Sequence, residues 1–79
     1  MSLTNKVIEV VSSSLKIDKE KLNEKSGLGD VVKWDSLNHA GLVVDLENHF
    51  DVGFGFDELD KIITIEAIVE SLEEKGVGA

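Results

Sequence analysis

Ser36, in the setting Trp34-Asp35-Ser36-Leu37, is the residue of this chain with the clearest chemical prospect. It follows a loop and opens a strongly apolar helical pattern. A serine hydroxyl is a weak nucleophile unless a base within hydrogen-bond reach activates it. The local sequence offers no convincing base. Ser36 therefore reads as a serine that is acted upon, an attachment point rather than a catalyst. The plainer reading is a helix cap, since Ser and Asp are both preferred N-caps. The two are compatible, because a capping serine at a helix start is also an exposed one.

The other candidates for chemistry fall away one by one. Ser36 and His39 stand at i, i+3 on one predicted helix, a spacing that seldom aligns a base with its nucleophile, and Gly-x-Ser-x-Gly is absent. His39 and His49 are ten apart with no His-Glu-x-x-His, which argues against a zinc enzyme. Both histidines read as surface residues of an amphipathic helix. The run Asp51 to Asp60 is acidic and glycine-rich. As a calcium loop it would need oxygen ligands at the first, third, fifth and twelfth places and a glycine at the sixth. Counted from Asp51, those places hold Asp51, Gly53, Gly55, Ile62 and Phe56, so the match fails. Gly27-Leu28-Gly29 lacks the Gly-Lys-Ser/Thr that completes a phosphate loop. The expectation is a protein that is not an enzyme, with no catalytic residue and no metal ligand set.

The elements that position Ser36 follow from hydrophobic spacing. Leu3, Val7, Val10, Val11, Ser14 and Leu15 share one face of a helix with a period of 3.6. Valines are mediocre helix formers, so tertiary packing must hold this segment. Residues 16–35 form a long connection, pinned by Ile17 and Leu22. Asp18-Lys19-Glu20-Lys21 suits one helical turn, and Gly27 and Gly29 break any longer helix. A second helix is predicted from about Ser36 to Phe50. Its row Leu42-Leu46-Phe50 should face the core, with Val43 beside it. A second row, Leu37-Ala40-Val44, should stay partly exposed, and Asp35, Asp45, Glu47 and Asp51 supply an acidic face. A short helical turn is expected over 57–62. Thr64 then caps a last helix with Ile65, Ile68, Val69 and Leu72 inward, closed by Lys75 and Gly76. The predicted core is Val7, Val11, Leu15, Leu42, Leu46, Phe50, Ile65, Ile68 and Leu72.

This is an all-α pattern: a small bundle of three main helices plus a short one, with a long loop between the first and second. Seventy-nine residues make a single domain over 1–79. The chain has no cysteine, so neither disulfides nor thiolate metal sites support it. The apolar fraction of 42% argues against disorder. The net charge of −8 is unevenly placed, +1 over residues 1–33 and −9 over 34–79. Such a chain repels nucleic acid and anionic membranes, and its acidic half could steer encounters with a basic protein surface. No run approaches the ~18 apolar residues of a membrane span, and the start, Met1-Ser2-Leu3-Thr4-Asn5, carries no basic leader. A cytoplasmic monomer is expected.

Taken together, Asp35-Ser36-Leu37, the run Leu42-Val43-Val44-Asp45-Leu46-Glu47-Asn48-His49-Phe50 and the tail Ile63-Thr64-Ile65 resemble the acyl carrier protein family. The likeness spans nearly the whole chain. It implies that the Ser36 hydroxyl is esterified with 4′-phosphopantetheine from coenzyme A by a separate phosphopantetheinyl transferase. Asp35 and Leu37 complete the attachment motif. The thiol at the arm's tip would carry an acyl group to loading and transfer enzymes of fatty-acid, lipid or specialised metabolite biosynthesis. It also implies that the second helix meets the basic docking surfaces of these partners, with Leu37, Ala40 and Val44 as apolar contacts and Asp35, Asp45 and Glu47 as charged ones. There are departures from the usual fatty-acid carriers. Trp34 stands where they commonly have a small residue, and His39 and Gly41 where they are often acidic or apolar. The chain thus resembles discrete carriers dedicated to one pathway. An aminoacyl or peptidyl carrier shares the attachment chemistry, and an acidic helical interaction module without a prosthetic group is the alternative from another class. On this placement His39 and His49 would gain charge below about pH 6.5 and partly cancel the acidic face.

Overall fold

The computed structural model describes residues 2–78; Met1 and Ala79 lie outside them. Three α-helices carry the fold: α1 (Leu3–Leu15), α2 (Ser36–Phe50) and α3 (Ile65–Glu74). Short 3-10 turns lie at Lys19–Lys21 and Phe56–Glu58 in the two connections. The second is shorter than the turn expected over 57–62. No strand forms among the described residues, only two isolated bridges, Gly27 with Thr64 and Leu28 with Val31.

Each helix starts on a polar side chain that accepts a first-turn N–H. Ser2 takes that of Asn5, Asp35 that of Asn38 and Thr64 that of Ala67. Each helix also ends alike. A left-handed residue follows, directly after α1 and α2 and one residue later after α3, and the next amide reaches back across the last turn: Ile17 to Ser12, Val52 to Glu47 and Val77 to Leu72. This six-residue closure satisfies a carbonyl that the helix leaves orphaned. At the end of α3 the left-handed residue is Gly76; after α1 and α2 it is Lys16 and Asp51. The residue beyond is an aliphatic that packs against the core in all three cases.

α1 packs against both α2 and α3, whose backbones nowhere come as close to each other. Eight of the nine predicted core residues are buried. Phe50 is the correction: it is only half-buried, at the rim of the last turn of α2, with its ring edge-on to His49. The largest fully buried side chain is instead Trp34, joined by Ile62 from the second connection. An aromatic of this size removes ~150–250 Å² from water, so it dominates the contacts around it.

The long connection is ordered by α3. Leu28 N–H donates to Ile63 O at 2.8 Å, Ile65 N–H to Ser26 O at 2.9 Å and Glu66 N–H to Glu24 O at 2.8 Å. Two of these donors belong to the first turn of α3, so loop carbonyls supply the partners that a helix start lacks. Gly27 is needed for this approach: a Cβ there would sit 2.4 Å from Ile63 O. The glycine run thus serves backbone packing, and Leu22 anchors the loop in the core.

Candidate functional site

The loop meets α2 at a junction fixed from both sides in sequence. Trp34 N–H donates to Val31 O, and Gly29 N–H to Trp34 O. Asp35 is the N-cap, its Oδ1 accepting from Asn38 N–H at 2.8 Å and its carbonyl from His39 N–H at 2.8 Å. The Asn38 amide reaches back to Lys33 O at 2.9 Å. Ser36 is therefore the first helical residue and not the cap. It is exposed, and Leu37 beside it is 84% exposed. Among the described residues no hydrogen bond engages the Ser36 hydroxyl or the N–H groups of Ser36 and Leu37. Free N–H groups at the positive end of a fifteen-residue helix suit an anion.

His39 departs from expectation. It is buried, not on the surface, with 8% of its area exposed. Its Nδ1 accepts from Trp34 Nε1–H at 3.0 Å, and its Nε2 lies 3.3 Å from Leu59 O. A tryptophan N–H only donates, so Nδ1 carries the lone pair and Nε2 the proton that Leu59 O accepts. The register explains the burial. Leu42 and Val43 lie one turn after His39, and Leu46 one turn further, so His39 extends the core row by one turn. That row could have been traced backwards in the sequence. With both ring nitrogens taken, His39 is no base for Ser36. His49 is exposed, as expected.

The outer face of α2 carries Leu37, Ala40 and Val44, all exposed, with Val44 at 53%. Two carboxylates flank this row and are already engaged. Asp45 accepts from Ser14 Oγ of α1, and Glu47 Oε2 accepts from Phe54 N–H at 2.9 Å. Asp35 is tied up as the cap. Phe56, in the second connection, is 92% exposed.

Beyond α2, Glu58 accepts from Gly55 N–H at 2.6 Å and pairs with Lys75 Nζ at 2.9 Å. The Lys75 hydrogen bond, then the Gly55 amide, hold this carboxyl below the ordinary glutamate value. Lys75 also lies 5.4 Å over the Phe54 ring. Among the described residues no group of three potential ligands could hold a metal ion. No helix there is long and apolar enough to cross a membrane.

Residues 5–72 match the protein family described as phosphopantetheine attachment site. The acyl carrier protein of Thermotoga maritima is 35% identical over 71 residues, covering 90% of this chain and 88% of its own. That of Chlorobium phaeobacteroides is 27% identical over 73 residues, covering 92% and 94%. That of Syntrophus aciditrophicus is 29% identical over 77 residues, covering 98% and 96%.

Proposed function

Because the chain belongs to the phosphopantetheine attachment family of the acyl carrier proteins, we propose that Ser36 is the residue that bears its prosthetic group. The protein is a carrier and not an enzyme, and its cofactor is covalent 4′-phosphopantetheine. When bound, that group supplies a thiol that holds an acyl chain as a thioester. The family works with a phosphopantetheinyl transferase and acyl-handling enzymes.

One observation carries the assignment: Asp35 performs the capping, so the exposed Ser36 hydroxyl has no structural duty. The hydroxyl loses its proton and its oxygen bonds to the phosphorus next to the pantetheine of coenzyme A. The pyrophosphate linkage breaks there, the arm becomes a phosphodiester on Ser36, and adenosine 3′,5′-bisphosphate leaves. The Ser36 and Leu37 N–H groups would then face the phosphate charge, and Leu37 stays exposed at the entrance. The apolar row Leu37, Ala40 and Val44 offers partners a dry contact. Asp35, Asp45 and Glu47 supply negative potential around it for a basic docking surface, even while bonded within the chain. The protein acts as a cytoplasmic monomer. Its cargo is acyl rather than aminoacyl, in keeping with its relatives.

Intact mass tests the assignment. After incubation with a phosphopantetheinyl transferase, coenzyme A and magnesium, wild type should gain the mass of one arm. Ser36→Ala should gain none while keeping its helical circular dichroism. A modified Ser36→Ala protein would place attachment elsewhere.

A further inference from the structure

The His39 ring ties together side chain and backbone from three segments. Trp34 belongs to the loop, His39 to α2 and Leu59 to the connection before α3. Trp34 is fully buried, so its Nε1–H needs an acceptor, and Nδ1 of His39 supplies it. We propose that His39 is the positioning residue of the attachment junction: its neutral ring locks Trp34 under Ser36 and ties both to Leu59, and protonation releases the lock. This deepens the assignment of Ser36 and rests on it.

The chemistry of the ring dictates the switch. In the imidazolium form both nitrogens donate. Leu59 O still accepts from Nε2, but Trp34 Nε1–H then faces a second donor, and one of the two must move. Trp34 has little freedom to move alone. Its backbone N–H and carbonyl are held by Val31 and Gly29, and the next residue is the cap of α2. A displaced Trp34 therefore drags Asp35, and with it the first turn that presents Ser36. The charged groups on the joined segments within six residues of Trp34, His39 or Leu59 are Asp30, Lys33, Asp35, Asp45, Asp57, Glu58, Asp60 and Lys61. Lys33 bonds to Lys16 O, Asp35 to Asn38, Asp45 to Ser14 and Glu58 to Lys75. Asp60 and Lys61 are exposed. None hydrogen-bonds to the ring. α1, packed across α2, contributes Glu9 and Lys6, both exposed.

Trp34 is the chain's one tryptophan, so its fluorescence reports on this contact without any partner. The test follows emission of the apo protein from about pH 8 to about pH 5, the range in which histidines change charge. It compares wild type, His39→Gln, His39→Leu and His49→Gln, and measures transferase kinetics for each. Gln can accept and donate as the ring does but does not titrate; Leu does neither. Wild type and His49→Gln should show an acid transition in emission that His39→Gln lacks. At neutral pH His39→Gln should be modified at a rate near wild type. His39→Leu should lose roughly threefold to tenfold in kcat/KM, mostly through KM. On acidification the ratio of wild-type to His39→Gln rates should fall, a comparison from which the transferase's own pH profile cancels. Identical emission curves for wild type and His39→Gln would overturn the proposal, as would a pH-independent ratio of their rates. If His39→Leu fails to fold by circular dichroism, the Gln comparison decides alone. Modification of Ser36→Ala would instead overturn the assignment of Ser36 and leave the emission result intact.

Discussion

The two sides of one helical turn at the start of α2 have opposite character. On the lower side Trp34 is fully buried, and Trp34 and His39 spend every ring nitrogen on a hydrogen bond. On the upper side Ser36 and Leu37 are exposed, and among the described residues no hydrogen bond engages the hydroxyl. The contrast shows how a domain this small can hold one side chain out to solvent in a fixed place. It anchors the neighbours of that residue rather than the residue itself. Precision comes from below, and availability from having nothing above.

The sharpest way to break the contrast is to truncate one residue on each side. Trp34→Ala removes a buried aromatic, which costs ~3–5 kcal/mol, and leaves His39 Nδ1 without its donor. A domain of this size has only about 3–5 kcal/mol to lose, so its thermal melt should become broad or vanish. Leu37→Ala, on an exposed side chain, should keep the melting temperature within the change expected for ~0.5 kcal/mol. A Trp34→Ala protein with a native melt would mean that the lower side does not anchor the turn.

A milder break acts one segment away. Gly27→Ala forces a methyl group against Ile63 O, and overpacking of this kind costs ~1–3 kcal/mol. The loop should loosen from α3 while the helices persist. Faster amide exchange at Leu28 and Ile65, with unchanged helical circular dichroism, is the expected result. Protection equal to wild type would show that the loop is held some other way.

The smallest effect concerns pH. The Glu58 carboxyl is held low in the folded state by Lys75 and Gly55. Its contribution is thus fully present above the unfolded glutamate value of ~4.3 and is lost only as pH falls through the lower folded value. Melts of wild type and Glu58→Gln should differ slightly near neutral pH and converge in strong acid. A gap that widens on acidification would contradict the direction of the shift. This pair is partly solvent-facing, so its effect should also shrink with added salt.

The helices were legible because their signals are local. Apolar spacing marks the three α-helices, Thr64 was read as the cap of the last, and Ser36–Phe50 was read at its observed bounds. The caps Ser2 and Asp35 were not, the cap reading having fallen on Ser36. The motif around Ser36 was read as an attachment point, which is the assignment proposed above. What the sequence hid depends on distant partners. His39 extends the row of Leu42, Val43 and Leu46 by one turn, so its burial could be traced, but the acceptor of its Nε2–H, Leu59 O twenty positions on, could not. Trp34, flanked by Lys33 and Asp35, has no apolar period of its own to mark it as core. Phe50 fits the core row by number but falls on the last turn of α2, where the helix leaves the interior. Asp45 and Glu47 look free in the sequence, but Ser14 and the Phe54 amide engage them through contacts that no local pattern encodes.

The stitching of the loop to α3 bears on how the molecule is assembled in time. Carbonyls of Glu24 and Ser26 receive amides of Glu66 and Ile65, partners far apart along the chain. Such pairings raise the contact order of an otherwise helical protein and slow the step that makes them. α1 and α2 can pair early, since they follow one another in sequence, but residues 24–28 of the loop between them have no hydrogen-bonded partner outside the loop until Ile63 and the first turn of α3 arrive. The segment leading into Ser36 should therefore be among the last to gain native order, and a chain still emerging from the ribosome would present the serine before the frame beneath it is complete.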